Sequence, residues 1–180
     1  MDRNGSFRDM RVTDLEMVLG WRNAPEVRRN MYTSHVISME EHTRWWRNAS
    51  QRQDRQHFIF EDAAGPQGVA LLTDLDRTNR NASWAFYARP KAPRGTGSRM
   101  EFLLLDHAFL VLDLHKLNCE VLDFNEAVIR LHQKFGFLIE GRFRDQHLAD
   151  GRFVDVVRLG LLASEWTEAR ERIAGRVFRE

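Results

Sequence analysis

The chain has 180 residues, long enough for one well-packed core and short for two. Its 27 basic and 26 acidic side chains leave a formal net charge of +1. That excludes a dedicated nucleic-acid binder, which needs a basic excess to displace phosphate counterions. The single cysteine, Cys119, excludes an internal disulfide and a thiolate metal cluster.

The polar start MDRNGSFRDMR lacks the apolar run of a signal peptide, and stretches such as Phe102-Leu103-Leu104-Leu105 are too short to span a bilayer. A cytoplasmic protein with no membrane partner, no nucleic acid and no metal is expected. No internal repeat or low-complexity linker divides the sequence, so one domain over residues 1–180 is expected.

Arg8 to Val12 reads as a short opening strand, and Thr13 or Asp14 caps a helix with Leu15, Val18 and Leu19 on one face. Pro25 suits the first turn of a second short helix. Ser38-Met39-Glu40-Glu41 is a capping-box pattern that starts a third, running to about Arg52. The period then changes: Gln56 to Glu61, Gln67 to Leu72 and Ala82 to Ala88 read as strands. Pro90 to Gly97 is too rich in proline and glycine for either regular structure. It empties into a helical pattern from about Ser98 to Leu112.

His115 to Leu122 is a buried strand, Asn125 caps a helix to about Phe135, and Gly136 ends it with a left-handed turn. Two strands, about Phe137 to Arg144 and Phe153 to Leu162, flank a turn at Asp150-Gly151, and Ser164 caps a last helix. The order describes a mixed α/β domain, antiparallel early and with helical crossovers in the middle.

Gly95 and Gly97 stand where a strand-to-loop segment enters a helix. A helix N-terminus leaves backbone N–H groups without internal partners and favours negative charge, so the loop suits a pyrophosphate. Two glycines alone fit an ordinary strand-to-helix loop equally well. The segment is not a Rossmann fingerprint, because the third glycine is missing, nor a Walker loop, because no Gly-Lys-Ser/Thr follows.

The stretch Asn125-Glu126-Ala127-Val128-Ile129-Arg130-Leu131-His132-Gln133-Lys134-Phe135-Gly136-Phe137 resembles the N-x-x-A/S-I-x-L-Y-E-K-x-G-F signature of GNAT acetyltransferases, and the glycine loop precedes it by about thirty residues, as in that superfamily. The resemblance implies a mostly antiparallel twisted sheet of about seven strands flanked by helices, acetyl-CoA as co-substrate and N-acetyltransferase activity by direct attack on the thioester. It places Gly95, Thr96, Gly97, Ser98 and Arg99 at the pyrophosphate, mainly through backbone N–H groups. It places Asn125 at the pantetheine arm and the backbone of Phe86, Tyr87 and Ala88 against the pantetheine amides. Ala92 departs from the usual Gln/Arg of the loop, with Lys91 and Arg94 beside it. His132 departs from the usual tyrosine, whose role is to give a proton to the departing sulfur; a histidine there is expected to change charge near neutral pH.

The words Trp21-Arg22-Asn23, Pro25-Glu26-Val27-Arg28, Met31-Tyr32-Thr33, Ile37-Ser38 with His42, and Glu140-Gly141-Arg142 with Asp150-Gly151-Arg152-Phe153 resemble a PseH-like GNAT branch. That branch acetylates the 4-amino group of a UDP-linked dideoxy amino sugar. The resemblance implies a nucleotide-sugar acceptor held by Arg22, Met31 and Tyr32, with Arg22 or Arg28 for a diphosphate. Packing and solvation also account for each of these side chains, and for Trp21, Trp45 and Trp46.

For the reaction, a backbone N–H of the Phe86-Tyr87 region is the expected oxyanion donor, with Tyr87 counted as catalytic. Glu120, Asp123 and His42 are candidate bases. Cys119 reads as a buried hydrophobe. A RimL-like protein N-terminal acetyltransferase and a non-catalytic acetyl-CoA-binding module stay open as alternatives, as does a homodimer.

Overall fold

The computed structural model describes residues 4–178. Among these, seven strands form one sheet: β1 (Ser6–Asp9), β2 (Gln56–Asp62), β3 (Gly65–Asp76), β4 (Asn81–Ala88), β5 (Lys116–Leu122), β6 (Leu138–Ala149) and β7 (Arg152–Leu162). They lie in the order β1-β2-β3-β4-β5-β7-β6, antiparallel throughout except for the pair β4 and β5. Six helices among the described residues flank them: α1 (Leu15–Asn23), α2 (Pro25–Arg28), α3 (Met39–Ala49), α4 (Thr96–Asp106), α5 (Glu126–Lys134) and α6 (Ala163–Val177).

Strand alternation divides the apolar residues between two faces. Phe58, Phe60, Ala70, Leu72, Ala82 and Trp84 point to the face covered by α4, α5 and α6, where Met100, Leu104, Leu105, Phe135 and Trp166 complete the main core. Ile59 and Val69 point to the other face, where Met10, Leu15 and Val18 pack beneath Trp21, Trp46 and Tyr87.

The feature that makes a site is a fork. Parallel pairing of β4 with β5 covers only Asn81–Ser83 against Lys116–Asn118. Beyond it the two strands diverge, and Asn118 Nδ2 donates to the Ala82 carbonyl at 3.3 Å where they part. The rest of β4 stays paired to β3 as far as Ala88, while the rest of β5 stays paired to β7 as far as Leu122.

Several local expectations need correction. The side chain of Ser38 does accept from Glu41 N–H at 3.1 Å, but α3 ends at Ala49. After Asp106 the helix widens into a π turn over His107–Val111, and Leu112 falls beyond it. Ser164 lies inside α6, because Glu165 reaches back to accept the Leu162 N–H at 2.8 Å and fills the capping role. Asp14 and Asn125 occupy N-cap positions without making side-chain cap bonds. Asp14 is instead held by Arg8 at 2.8 Å.

Candidate active site

The fork opens into a cleft of about 270 Å³ between β4 and β5. Phe86, Tyr87 and Ala88 line one wall, Cys119 and Glu120 the other, and Asn125, Val128 and His132 of α5 close it. Because Asn125 spends no side-chain bond on capping, its amide is available to the cleft it lines.

Backbone parity decides which β4 groups face the opening. Arg89 N–H donates to the Gln67 carbonyl of β3 at 2.8 Å, and Tyr87 is the cross-strand partner of Val69. In an antiparallel ladder alternate residues turn their N–H and C=O to the same side. Tyr87 therefore turns its peptide groups toward β3, whereas Phe86 and Ala88 turn theirs toward the cleft, as does Ala82, whose carbonyl meets Asn118. The expectation of a cleft-facing donor at Tyr87 is corrected: its N–H turns to β3, and the N–H groups that face the cleft are those of Phe86 and Ala88.

The glycine loop leads into α4. Gly95 takes a left-handed φ of 88°, which glycine adopts without strain, at the position just before α4. Gly97 faces Phe86 and Leu131 with room for a methyl group at 3.5 Å or more. Two assignments narrow here. Thr96 gives both its N–H, at 3.1 Å, and its Oγ1, at 2.7 Å, to the Pro93 carbonyl. Arg99 gives its N–H to the Gly95 carbonyl at 3.1 Å and its guanidinium to Asp62 at 3.2 Å, pointing back toward β2. Neither has the backbone donor expected of it; Gly97 and Ser98 remain at the helix end. Lys91 and Arg94 stand exposed on the loop.

His132 is buried among Trp84, Phe86 and Phe137, with ring centroids 5.0, 6.1 and 5.4 Å away. Its Nδ1 lies 2.8 Å from Oε1 of Glu101, a fully buried carboxyl on α4 whose Oε2 has no partner. Burial opposes charge on the imidazole, but the Glu101 carboxylate and the Cys119 sulfur outweigh it and raise the His132 pKa to about 10. Burial likewise raises Glu101. Both directions say that the pair keeps a proton through neutral pH. The expected change of charge near neutrality is thereby corrected: Glu101, unseen in the motif, moves it upward.

A second cavity of about 370 Å³ lies on the α1 and α3 side and shares Met31, Ala85, Phe86 and Tyr87 with the cleft. Arg22, Tyr32 and His42 line it, together with Trp45 and His57. Arg22 Nη2 donates to the Thr33 carbonyl at 2.9 Å, while Nη1 is buried without a partner; burial lowers its pKa. His42 stacks on Trp45 at 5.1 Å, and its Nε2 and that of His57 are buried without partners. Burial lowers both imidazoles, His57 to about 4. Burial raises the Tyr87 hydroxyl, and burial together with the Glu120 carboxylate raises that of Tyr32.

Tyr32 links the two cavities by donating its hydroxyl to Glu120 at 2.9 Å. Arg158 takes the other Glu120 oxygen at 3.1 Å, so this candidate base has both oxygens engaged. Arg28 lies outside the cavity and donates to the Ser34 carbonyl at 2.9 Å. Asp123 lies outside both cavities, 3.7 Å from Arg142. The structure thus gathers Arg22, Met31, Tyr32, His42, Phe86, Tyr87, Ala88, Glu120, Asn125 and His132 around two joined cavities, and adds Trp45, His57, Glu101 and Cys119. Among the described residues no group of three His, Cys, Asp or Glu could hold a metal ion. No helix is long and apolar enough to cross a membrane among them.

Comparison with known proteins places this architecture. The chain is 29% identical over 144 residues to the SPbeta prophage-derived uncharacterized N-acetyltransferase YokL of Bacillus subtilis, covering 78% of this chain and 81% of that protein. It is 26% identical over 141 residues to acetyltransferase PseH of Campylobacter jejuni, covering 78% and 87%. The crystal structure of spermidine N-acetyltransferase from Vibrio cholerae, in complex with CoA and spermine, superposes with a TM-score of 0.86 at 22% identity, covering 92% of this chain and 99% of that one. Residues 6–138 match the model of the acetyltransferase (GNAT) domain family. The chain therefore belongs to the GNAT family, as an N-acetyltransferase that uses acetyl-CoA to acetylate an amine.

Proposed function

We propose that the acceptor is a nucleotide-linked amino sugar, seated in the aromatic cavity with its amine directed toward the β4–β5 cleft. The observation that carries this is Arg22, a half-buried side chain whose Nη1 is buried and unpartnered, at the wall of a cavity lined by Tyr32, Trp45, Phe86 and Tyr87. A buried donor without a partner is costly, and a bound anion relieves that cost. Aromatic and thioether surfaces suit a flat base. A polyamine would meet a cation here instead. Among the described residues Glu41 is the one carboxylate lining the cavity, and it lies 3.0 Å from His35.

Acetyl-CoA supplies an acyl group already activated as a thioester. The cleft fits its pantetheine arm: the peptide groups of Phe86 and Ala88 face it, and Asn125 lines its far wall. The N–H groups of Gly97 and Ser98 meet the pyrophosphate at the positive end of α4. A Phe86 N–H aimed into the cleft stabilises developing negative charge on oxygen. His132 holds a proton at the inner wall, where a departing thiolate needs one. Glu120 serves as a base only by giving up Tyr32 or Arg158.

The test compares acetyl transfer to a UDP-4-amino sugar, spermidine and a peptide amine. Arg22→Ala should cut kcat/KM for the nucleotide sugar by about 10- to 100-fold, the loss of one charge-assisted contact, with acetyl-CoA affinity unchanged. Preference for spermidine or the peptide, indifferent to Arg22→Ala, sinks the reading.

A further inference from the structure

We propose that Glu101 is a positioning residue for the acetyl transfer, locking His132 so that its Nε2 carries a proton on the cleft side. The proposal rests on the assignment of the β4–β5 cleft to the acetyl donor.

Helix α4 carries a carboxyl where its neighbours are apolar. Met100, Leu104 and Leu105 form its buried face, continued by Ala108 in the π turn, and Glu101 sits among them with no exposure at all. A carboxyl in such a place costs stability unless it is neutralised or paired. Its neighbour across the helix interface is His132 of α5, 2.8 Å away.

The proton count then fixes the ring. Below the raised His132 pKa of about 10 the pair carries two protons, and loss of the second leaves a carboxylate facing Nδ1–H and a bare Nε2. With both protons it is either a carboxylate facing Nδ1–H of an imidazolium, or a carboxylic acid donating to a bare Nδ1 of the Nε2–H tautomer. In the first form Nε2 bears a proton because the ring is fully protonated. In the second it bears one because the neutral tautomer must carry its hydrogen there. Both forms present Nε2–H. The unpartnered Oε2 favours the acid and the imidazole attraction favours the ion pair, but the outcome at Nε2 is the same.

The titratable groups acting on His132 are Glu101 from α4 and Cys119 from β5; β4 and Phe137 contribute only rings. On α5 itself Glu126 and Arg130 pair with each other at the surface, 2.7 Å apart. A tyrosine in the same place brings its own proton. A histidine needs a second residue to keep one, and α4 provides it from the helix that begins at the glycine loop.

Nitrogen-15 NMR of the histidine rings in the ligand-free protein tests this directly. At pH 8, His132 should show a protonated Nε2; a bare Nε2 in the wild type overturns the proposal without any variant. Glu101→Gln should leave a neutral ring free to take the bare-Nε2 tautomer at pH 8, and kcat at pH 8 should fall by about 10²-fold with KM for acetyl-CoA little changed and partial recovery at pH 6. Cys119→Ala should leave the His132 resonance protonated at pH 8. If that variant bares Nε2 while Glu101→Gln does not, the sulfur is the holder and the proposal falls. Calorimetric CoA binding to the same proteins reads the cleft assignment separately, since loss of that assignment leaves the ring titration untouched.

Discussion

A histidine and a glutamate that share a proton tie stability to pH as well as to chemistry. Unfolded, a histidine titrates near 6.5; folded, His132 does so at about 10. Between those values the native protein holds a proton that the unfolded chain has released. The contribution is complete below about pH 6.5 and is lost as pH rises through about 10, with a slope approaching about 1.4 kcal/mol per pH unit. Urea unfolding at pH 6.5, 8 and 9.5 should show this decline in the wild type and not in the double variant Glu101→Gln/His132→Tyr. Equal slopes would place the proton elsewhere. The sequence held the clue: Glu101 falls three and four residues before Leu104 and Leu105, on the stripe that should be apolar. Its partner could not be read, because nothing in spacing shows which turn of α5 crosses that turn of α4. His57 was hidden for the same reason, lying in a strand whose alternation places it beneath Trp45 and Trp46, 5.3 and 5.7 Å away.

At the level of elements, the junction of β4, the loop and α4 was legible because its composition carries its geometry. Proline and glycine exclude regular structure from Pro90 to Gly95, and α4 begins at Thr96, two residues before the start expected near Ser98. What composition could not give was the direction of each donor. Tyr87 and Phe86 are adjacent letters, and only the register against Val69 and Ala70 separates the one facing β3 from the one facing the cleft. The loop also allows a graded test. A methyl group on Gly97 meets Phe86 and Leu131 at ordinary contact distances of 3.5 and 3.8 Å. Gly97→Ala should therefore keep CoA affinity within a few-fold, whereas Gly97→Tyr should abolish binding without unfolding the protein. Calorimetry with CoA and thermal melts of both variants would check it. Wild-type CoA affinity in the Gly97→Tyr variant would place the pyrophosphate away from α4.

Across the whole molecule, the N-terminal third and the C-terminal strands meet over the site. Tyr32, in the segment after α2, bonds to Glu120 of β5 and packs edge-on against His147 of β6, ring centroids 5.0 Å apart. The seven strands and their mixed pairing were readable from periodicity and turn residues, and from the signature around Asn125. The order of the last strands was not, since a hairpin can join a sheet by either of its edges. Here it joins by β7, which lies between β5 and β6. That placement sets a schedule for a chain made from its N-terminus. Until β7 arrives, β5 has no neighbour beyond the short parallel stretch at Lys116–Asn118, and the far wall of the fork is an open edge. Such an edge, carrying buried Leu117, Cys119 and Val121, invites pairing with another chain. A version ending at Ala149 should aggregate and bind no CoA, while one carrying Arg152–Leu162 should recover both solubility and binding, as light scattering and calorimetry would read. Competence for the acetyl donor thus waits on β7, because the strand that seals the far wall of the fork is made after the wall itself.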